Sequence, residues 1–278
     1  MLNRENIKKQ IIEAVRTVKD TNPMAGSITN TVTINFVANA QLAAGGSAAM
    51  VYLPDEGEFL ALAGGATYIN VGTLFPIYEE TLPLTAKTLF DNQKPWVLDP
   101  VAIGIGSLRS KLLLKFKEYK PSVIRGNASE IIALAGLWGL EGGSGESKVR
   151  GVDSTDGVLK AKIAAAALAK WTGGAVAVSG ETDLVTDGKI LAYSHGGSHF
   201  MEKITGSGCS LGGVIAVYLT ATSPFIAALT GTSVYNLAGK RAAEKTKAPG
   251  SFQVHFLDEL YKATGEDIAE NPFEIEEV

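Results

Sequence analysis

Short apolar runs alternate with amphipathic stretches through the middle of this chain, and that alternation constrains the fold more than any other feature. Tyr68-Ile69-Asn70-Val71, Trp96-Val97-Leu98, Ser122-Val123-Ile124 and Ala175-Val176-Ala177-Val178 read as strands. Each is rich in β-branched, aromatic or small apolar residues and runs into a glycine or proline within two residues. Between them lie helical patterns over 76–90, 108–119, 127–137 and 156–171. Strands apolar on both sides must be covered on both faces. The expected fold is therefore α/β, a mostly parallel central sheet between two helical layers.

The flanks extend this picture. Ile7, Ile11, Ile12, Val15 and Val18 recur at helical spacing and predict a first helix that ends before Pro23. A second helix is expected over 29–44, stopped by Gly45-Gly46. Asp187-Gly188 predicts a hairpin turn between Leu184-Val185 and Ile190-Leu191. The last third reads as mostly helical. With no repeat and no long linker, residues 1–278 read as one domain.

Charge and cysteine usage exclude some functions. The net charge is -4, against the basic stripe that a broad nucleic-acid surface needs. An anionic ligand must then be met by a few local donors. A single cysteine allows no internal disulfide and fits a reducing cytoplasm. No secretory signal and no apolar run of membrane-spanning length is visible, so a cytoplasmic protein is expected.

In parallel sheets, ligands bind beyond the carboxyl ends of the strands. Asp99, Arg125, Asn127 and Ser179-Gly180-Glu181 fall at such ends and are expected to share one crevice. Asp99 could help to hold Mg²⁺, which keeps several waters and meets few protein oxygens; an Asp-Pro turn is the plainer reading. Arg125 suits phosphate oxygens. Asn127 and Glu130 have the spacing of a capping box, and Glu130 could alternatively hold Mg²⁺ through water. Ser179 could touch a nucleotide phosphate or sugar, or simply begin the turn into the hairpin.

The segment Gly206-Ser207-Gly208-Cys209 precedes an apolar helix over 211–219. Glycines there let backbone N–H groups aim at one spot, and a helix N-terminus adds partial positive charge, which makes an anion hole. The same terminus is expected to lower the pKa of Cys209 and make it a base or nucleophile. A second polar face comes from Thr31, Asn35 and Asn39, four residues apart. With Met50 beside it, that face could bind a small heterocycle, or serve only as a packing face.

These motifs together resemble the hydroxyethylthiazole kinases of the ribokinase-like superfamily. The resemblance rests on Thr29-Asn30 through Asn39, Gly45-Gly46-Ser47 through Met50, Asp99-Pro100-Val101, Arg125 through Glu130, Gly151-Val152-Asp153-Ser154, Ser179-Gly180-Glu181 and Gly206 through Cys209. It covers most of the chain. Cysteine is its discriminating mark, because most ribokinase-like enzymes carry aspartate there. Residues 102–106 depart from the family's small-residue pattern.

The resemblance implies a ribokinase-like three-layer kinase. Its substrate would be 4-methyl-5-(2-hydroxyethyl)thiazole, phosphorylated on the primary alcohol by ATP with Mg²⁺, for thiamine biosynthesis or salvage. Arg125 and Ser179 match ATP-binding positions, Met50 and Gly206 thiazole-binding positions, and Asp99 and Glu130 acidic positions near Mg²⁺. Gly206, Ser207, Gly208 and Cys209 form the catalytic loop, with Cys209 as proton acceptor. A homotrimer with active sites at subunit interfaces is implied too.

Overall fold

The structure is a computed structural model that describes residues 3–144 and 155–278. Its strands are β1 (Met24–Ile28), β2 (Ser47–Met50), β3 (Ala66–Asn70), β4 (Trp96–Asp99), β5 (Val123–Asn127), β6 (Ala175–Ser179), β7 (Asp183–Thr186), β8 (Ile190–Ser194) and β9 (Phe273–Glu277). They form one sheet in the order β2-β1-β3-β4-β5-β6-β7-β8-β9. Pairing is parallel from β2 to β6 and antiparallel from β6 to β9.

Alternate strand residues enter two separate cores, as a two-residue side-chain period requires. Tyr68, Val97, Val123, Ala177, Val185 and Ala192 pack on one face. They meet α1 (Arg4–Thr21), α2 (Ile34–Ala43), α8 (Ser207–Leu219), α9 (Pro224–Lys245), α10 (Pro249–Lys262) and α11 (Gly265–Glu270). Ile69, Leu98, Ile124, Val176, Leu184 and Leu191 pack on the other. There the cover is α3 (Pro54–Ala63), α4 (Tyr78–Asp91), α5 (Ser107–Phe116), α6 (Ala128–Leu137) and α7 (Thr155–Thr172). The expected three layers are present.

The hairpin forms as its turn chemistry predicts. Gly188 has φ +85°, and Asp187 Oδ1 accepts from the N–H groups of Lys189 and Ile190 at 2.8 and 2.9 Å.

The N-terminal third differs from expectation. Residues 29–44 are not one helix: β1 precedes them, a turn covers Thr31 to Thr33, and α2 begins at Ile34. β1 reads Met-Ala-Gly-Ser-Ile and lacks the β-branched signature because its neighbours sit close. A Cβ at Gly26 would lie 2.9 Å from Leu60 Cδ1. The short edge strand β2 and helix α3 carry equally weak patterns. At the other end, the acidic tail is β9, paired antiparallel with β8. The Gly151–Ser154 motif lies outside the described residues.

Candidate active site

The carboxyl ends of β3, β4 and β5 lie side by side, with Asn70 in register with Asp99. Tyr68 and Asn70 are two apart, as are Val97 and Asp99, and Val123 and Arg125. Alternation therefore turns all of these polar side chains toward the α8 layer. There they form a buried cluster. Asp99 Oδ2 accepts from the Tyr68 hydroxyl at 2.9 Å, Asn70 Nδ2 at 3.1 Å and Arg125 Nη1 at 3.3 Å. Arg125 Nη2 donates to Ser179 Oγ at 3.0 Å. Two polar atoms of this cluster, Asp99 Oδ1 and Arg125 Nε, are buried with no hydrogen-bond partner among the described residues.

Helix α8 points its N-terminus at the same cluster. It starts at Ser207, four residues before the apolar run that signals it in the sequence. Gly206 is its N-cap, with φ +95°, and a Cβ there would come within 3.0 Å of Thr33 Cβ. Both facts require glycine. The first bond of the helix is Ser210 N–H to Gly206 C=O at 2.8 Å. The N–H groups of Ser207, Gly208 and Cys209 are thus left to an outside acceptor. Gly208 lets the Arg125 guanidinium close in: a Cβ would lie 2.9 Å from Nη2. The Ser207 hydroxyl is spent on Met201 C=O at 2.6 Å, so this residue offers its backbone, not its side chain. Half-buried Cys209 completes the turn, its Sγ accepting from Asn30 Nδ2 at 3.4 Å.

A thiol beside a helix N-terminus, a buried carboxylate and a guanidinium can serve phosphoryl transfer to an alcohol. Comparison with known proteins gives the family. The model of the hydroxyethylthiazole kinase family matches residues 15–266. The chain belongs to that family. It is 51% identical to a hydroxyethylthiazole kinase of Bifidobacterium longum (strain DJO10A), over 95% of this chain and 90% of that protein. A solved hydroxyethylthiazole kinase of Pyrococcus horikoshii OT3 superposes with a TM-score of 0.85 at 30% identity, covering 97% of this chain and 99% of that one. A pyridoxal kinase of Staphylococcus aureus, solved with ADP, shares the fold with a TM-score of 0.60 at 17% identity, over 92% of this chain and 99% of that one. The fold is ribokinase-like and the chain is a kinase.

The electrostatics of this family member correct one expectation. Its surroundings do not lower the pKa of Cys209. Burial pushes the thiol up and the charge of Asp99 adds to that, while Arg125, the nearby Thr33 hydroxyl and the Asn30 hydrogen bond oppose it. Burial likewise raises Asp99 above the usual carboxylate range, with Arg125 holding it down and Glu130 adding to the rise. Burial works against the charge of Arg125, but Asp99 and Glu130 outweigh it and hold the guanidinium protonated.

The remaining candidates lie around this cluster. Glu130 is a helix cap: its Oε2 accepts from Asn127 N–H at 2.9 Å, and Asn127 Oδ1 accepts from Glu130 N–H at 2.9 Å. Its Oε1 reaches Ala102 N–H at 3.4 Å. Met50 ends edge strand β2, half-buried and two strands away from β3. Asn35 is exposed and bonded to Asn39 Nδ2 at 3.0 Å. The structure therefore does not bring the Asn35 face into the cluster within one chain.

Three residues at the centre escaped sequence reading: Tyr68, Asn70 and Asn30. Tyr68 and Asn70 had a signal, two polar-tipped residues on one face at the end of an otherwise apolar strand. Asn30 lay in the 29–39 motif that helps to carry the resemblance, but there it read as part of a helix.

Among the described residues, no three His, Cys, Asp or Glu side chains converge as a direct metal cage. The donor set suits Mg²⁺ held through water. Asp99 Oδ1 is an anionic acceptor without a partner among the described residues, and hydrated Mg²⁺ asks for one or two carboxylates. Among the described residues, no helix is long and apolar enough to cross a membrane.

Proposed function

We infer that this kinase phosphorylates the primary alcohol of 4-methyl-5-(2-hydroxyethyl)thiazole with ATP, for thiamine biosynthesis or salvage. One observation carries the residue assignment: Cys209 Sγ stands in the first turn of α8, among N–H groups that have no partner inside the helix. Phosphoryl transfer has a loose transition state, so catalysis is mostly positioning and charge stabilisation. The N–H groups of Ser207, Gly208 and Cys209 meet the charge on the transferring phosphoryl group. Cys209 Sγ takes the alcohol proton as general base, and no covalent intermediate forms. Its raised pKa leaves the free enzyme's thiol mostly protonated at neutral pH, so base strength must come from Arg125 and the helix terminus.

Arg125 and Ser179 bind ATP phosphates. Arg125 Nε, without a partner among the described residues, is a donor still to be used. Asp99 Oδ1 and Glu130 would hold Mg²⁺ through water, and the metal would neutralise phosphate charge. Gly206, with Thr33 and Phe36 against it, floors the alcohol side of the site.

Met50 and Asn35 complete the thiazole pocket across a subunit boundary in a homotrimer of single-domain protomers. The segments flanking edge strand β2, the turn before α2, α2 itself and α3 with its N-cap, expose Val32, Leu42, Leu53, Phe59 and Leu62. An unpaired edge beside apolar side chains fits burial against another copy. Sedimentation equilibrium is expected to give three times the protomer mass. A cytoplasmic location follows from this reading, since ATP and a free thiol are at home there.

The decisive assay is ATP consumption with and without the thiazole alcohol. Turnover that depends on the alcohol is expected. ATP consumption supported equally by a hydroxymethylpyrimidine, and not by the thiazole, would overturn the substrate assignment.

A further inference from the structure

The amide of Asn30 joins two parts of the site that the chain brings from opposite ends. Its Nδ2 donates to Cys209 Sγ at 3.4 Å and to Asn70 Oδ1 at 3.0 Å. Asn70 Nδ2 in turn donates to Asp99 Oδ2 at 3.1 Å and to Tyr68 at 2.9 Å. Asn70 Oδ1 is pinned further by Gly72 N–H at 2.9 Å. Thiol and carboxylate are thus tied through two side-chain amides. All of the intermediate groups are buried, where such bonds are strong and a broken one is costly.

The backbone makes room for this contact. A Cβ at Gly72 would lie 2.9 Å from Asn70 Oδ1 and 3.0 Å from both Asn30 Cβ and Nδ2. Any side chain at residue 72 would push the two amides apart. Asn30 itself follows β1, two strand positions from β4, so it reaches the thiol only because β1 lies beside β3.

We propose that Asn30 is a positioning residue for the transfer step, fixing Cys209 Sγ toward the alcohol and holding it in register with the Asp99–Arg125 pair. An N–H directed at sulfur favours the thiolate over the thiol and fixes the direction of its lone pairs. This role rests on Cys209 being the proton acceptor.

The chain has one cysteine, so alkylation by iodoacetamide reads that thiol alone. Asn30→Asp keeps the shape and replaces the donor with a carboxylate. Alkylation at pH 8 is expected to slow at least about tenfold, the effect of one pKa unit. The kcat is expected to fall about 10–100-fold, with KM for ATP unchanged. Where thermal unfolding shows that Asn30→Asp does not fold, Asn70→Ala carries the same test by removing the anchor of Asn30, and slower alkylation is again expected. Native alkylation and native kcat in the folded variant overturn the Asn30 role and leave Cys209 untouched. A Cys209→Ala enzyme with native turnover overturns the base assignment, and the positioning role with it, whatever the alkylation rate.

Discussion

Two buried polar clusters sit at opposite halves of the sheet, and they are finished differently. In the antiparallel half, Ser194 Oγ accepts from Asn236 Nδ2 at 3.0 Å and from Asn271 Nδ2 at 3.3 Å, and Asn271 also reaches His195 C=O at 3.1 Å. These groups tie β8 to α9 and to the approach to β9, with Asp183 beside Asn236 and with His195 Nε2 left without a hydrogen bond among the described residues. At the ends of β3 to β5 the cluster is ionic, and Asp99 Oδ1 and Arg125 Nε find no partner among the described residues. Buried polar groups are normally paired, and an ion pair taken out of water rarely repays its desolvation. The first cluster is what a fold needs. The second leaves a buried charged pair short of partners, a cost that a bound ligand would offset.

The largest effect expected is on turnover. Cys209→Ala should lose about 10²–10⁴-fold in kcat with little change in KM, in steady-state assays. Cys209→Asp should keep substantial activity, since a carboxylate ionises without help. Full activity in Cys209→Ala would erase the functional half of the contrast.

Arg125→Ala should cost about 3–5 kcal/mol of stability, because it strands the buried Asp99 charge, and should raise KM for ATP. Denaturant unfolding and ATP titration measure the two parts. Asn236→Ala or Asn271→Ala should cost about 1–3 kcal/mol, the penalty for stranding a buried partner, and leave KM for ATP and for the alcohol unchanged. A change in either KM would mean that the two clusters are coupled.

Asp99 gives the contrast a pH signature. Its folded-state pKa is raised, so the folded chain holds that proton more tightly than the unfolded chain, whose value is about 3.9. The resulting stability is present below that value and is lost as pH rises through the raised one. Asp99→Asn should flatten this loss in thermal unfolding across weakly acidic pH. Smallest of all, Arg241→Ala should cost at most about 1 kcal/mol, since its pair with Asp267 is partly exposed. A loss as large as that of Arg125→Ala would remove the distinction between buried and surface charge.

Much of this was legible locally. The strands at 68–71, 96–98, 122–124 and 175–178 carry their own apolar signal, and the Asp187-Gly188 turn its own chemistry. Asp99, Arg125 and Ser179 could be placed at strand ends because parallel sheets put ligands there. Glu130 was open between cap and metal; the structure shows the cap, and the metal role remains part of the proposal. The strands β1, β2 and β9 were not legible. β1 is built of small residues fitted to Leu60, β2 is a four-residue edge, and β9 alternates acidic residues that read as a solvated tail.

The sequence alone determined the layered α/β class, the positions of the central strands along the chain and a glycine turn that opens a helix beside the cysteine, because each follows from periodicity or turn chemistry within a few residues. Only the tertiary structure decided that Asn30, Asn70 and Tyr68 converge on Cys209 and Asp99, and that burial raises the thiol's pKa where the helix terminus alone would lower it. Those outcomes depend on which strands become neighbours and on how much water their packing removes, and neither is written in any single stretch of chain.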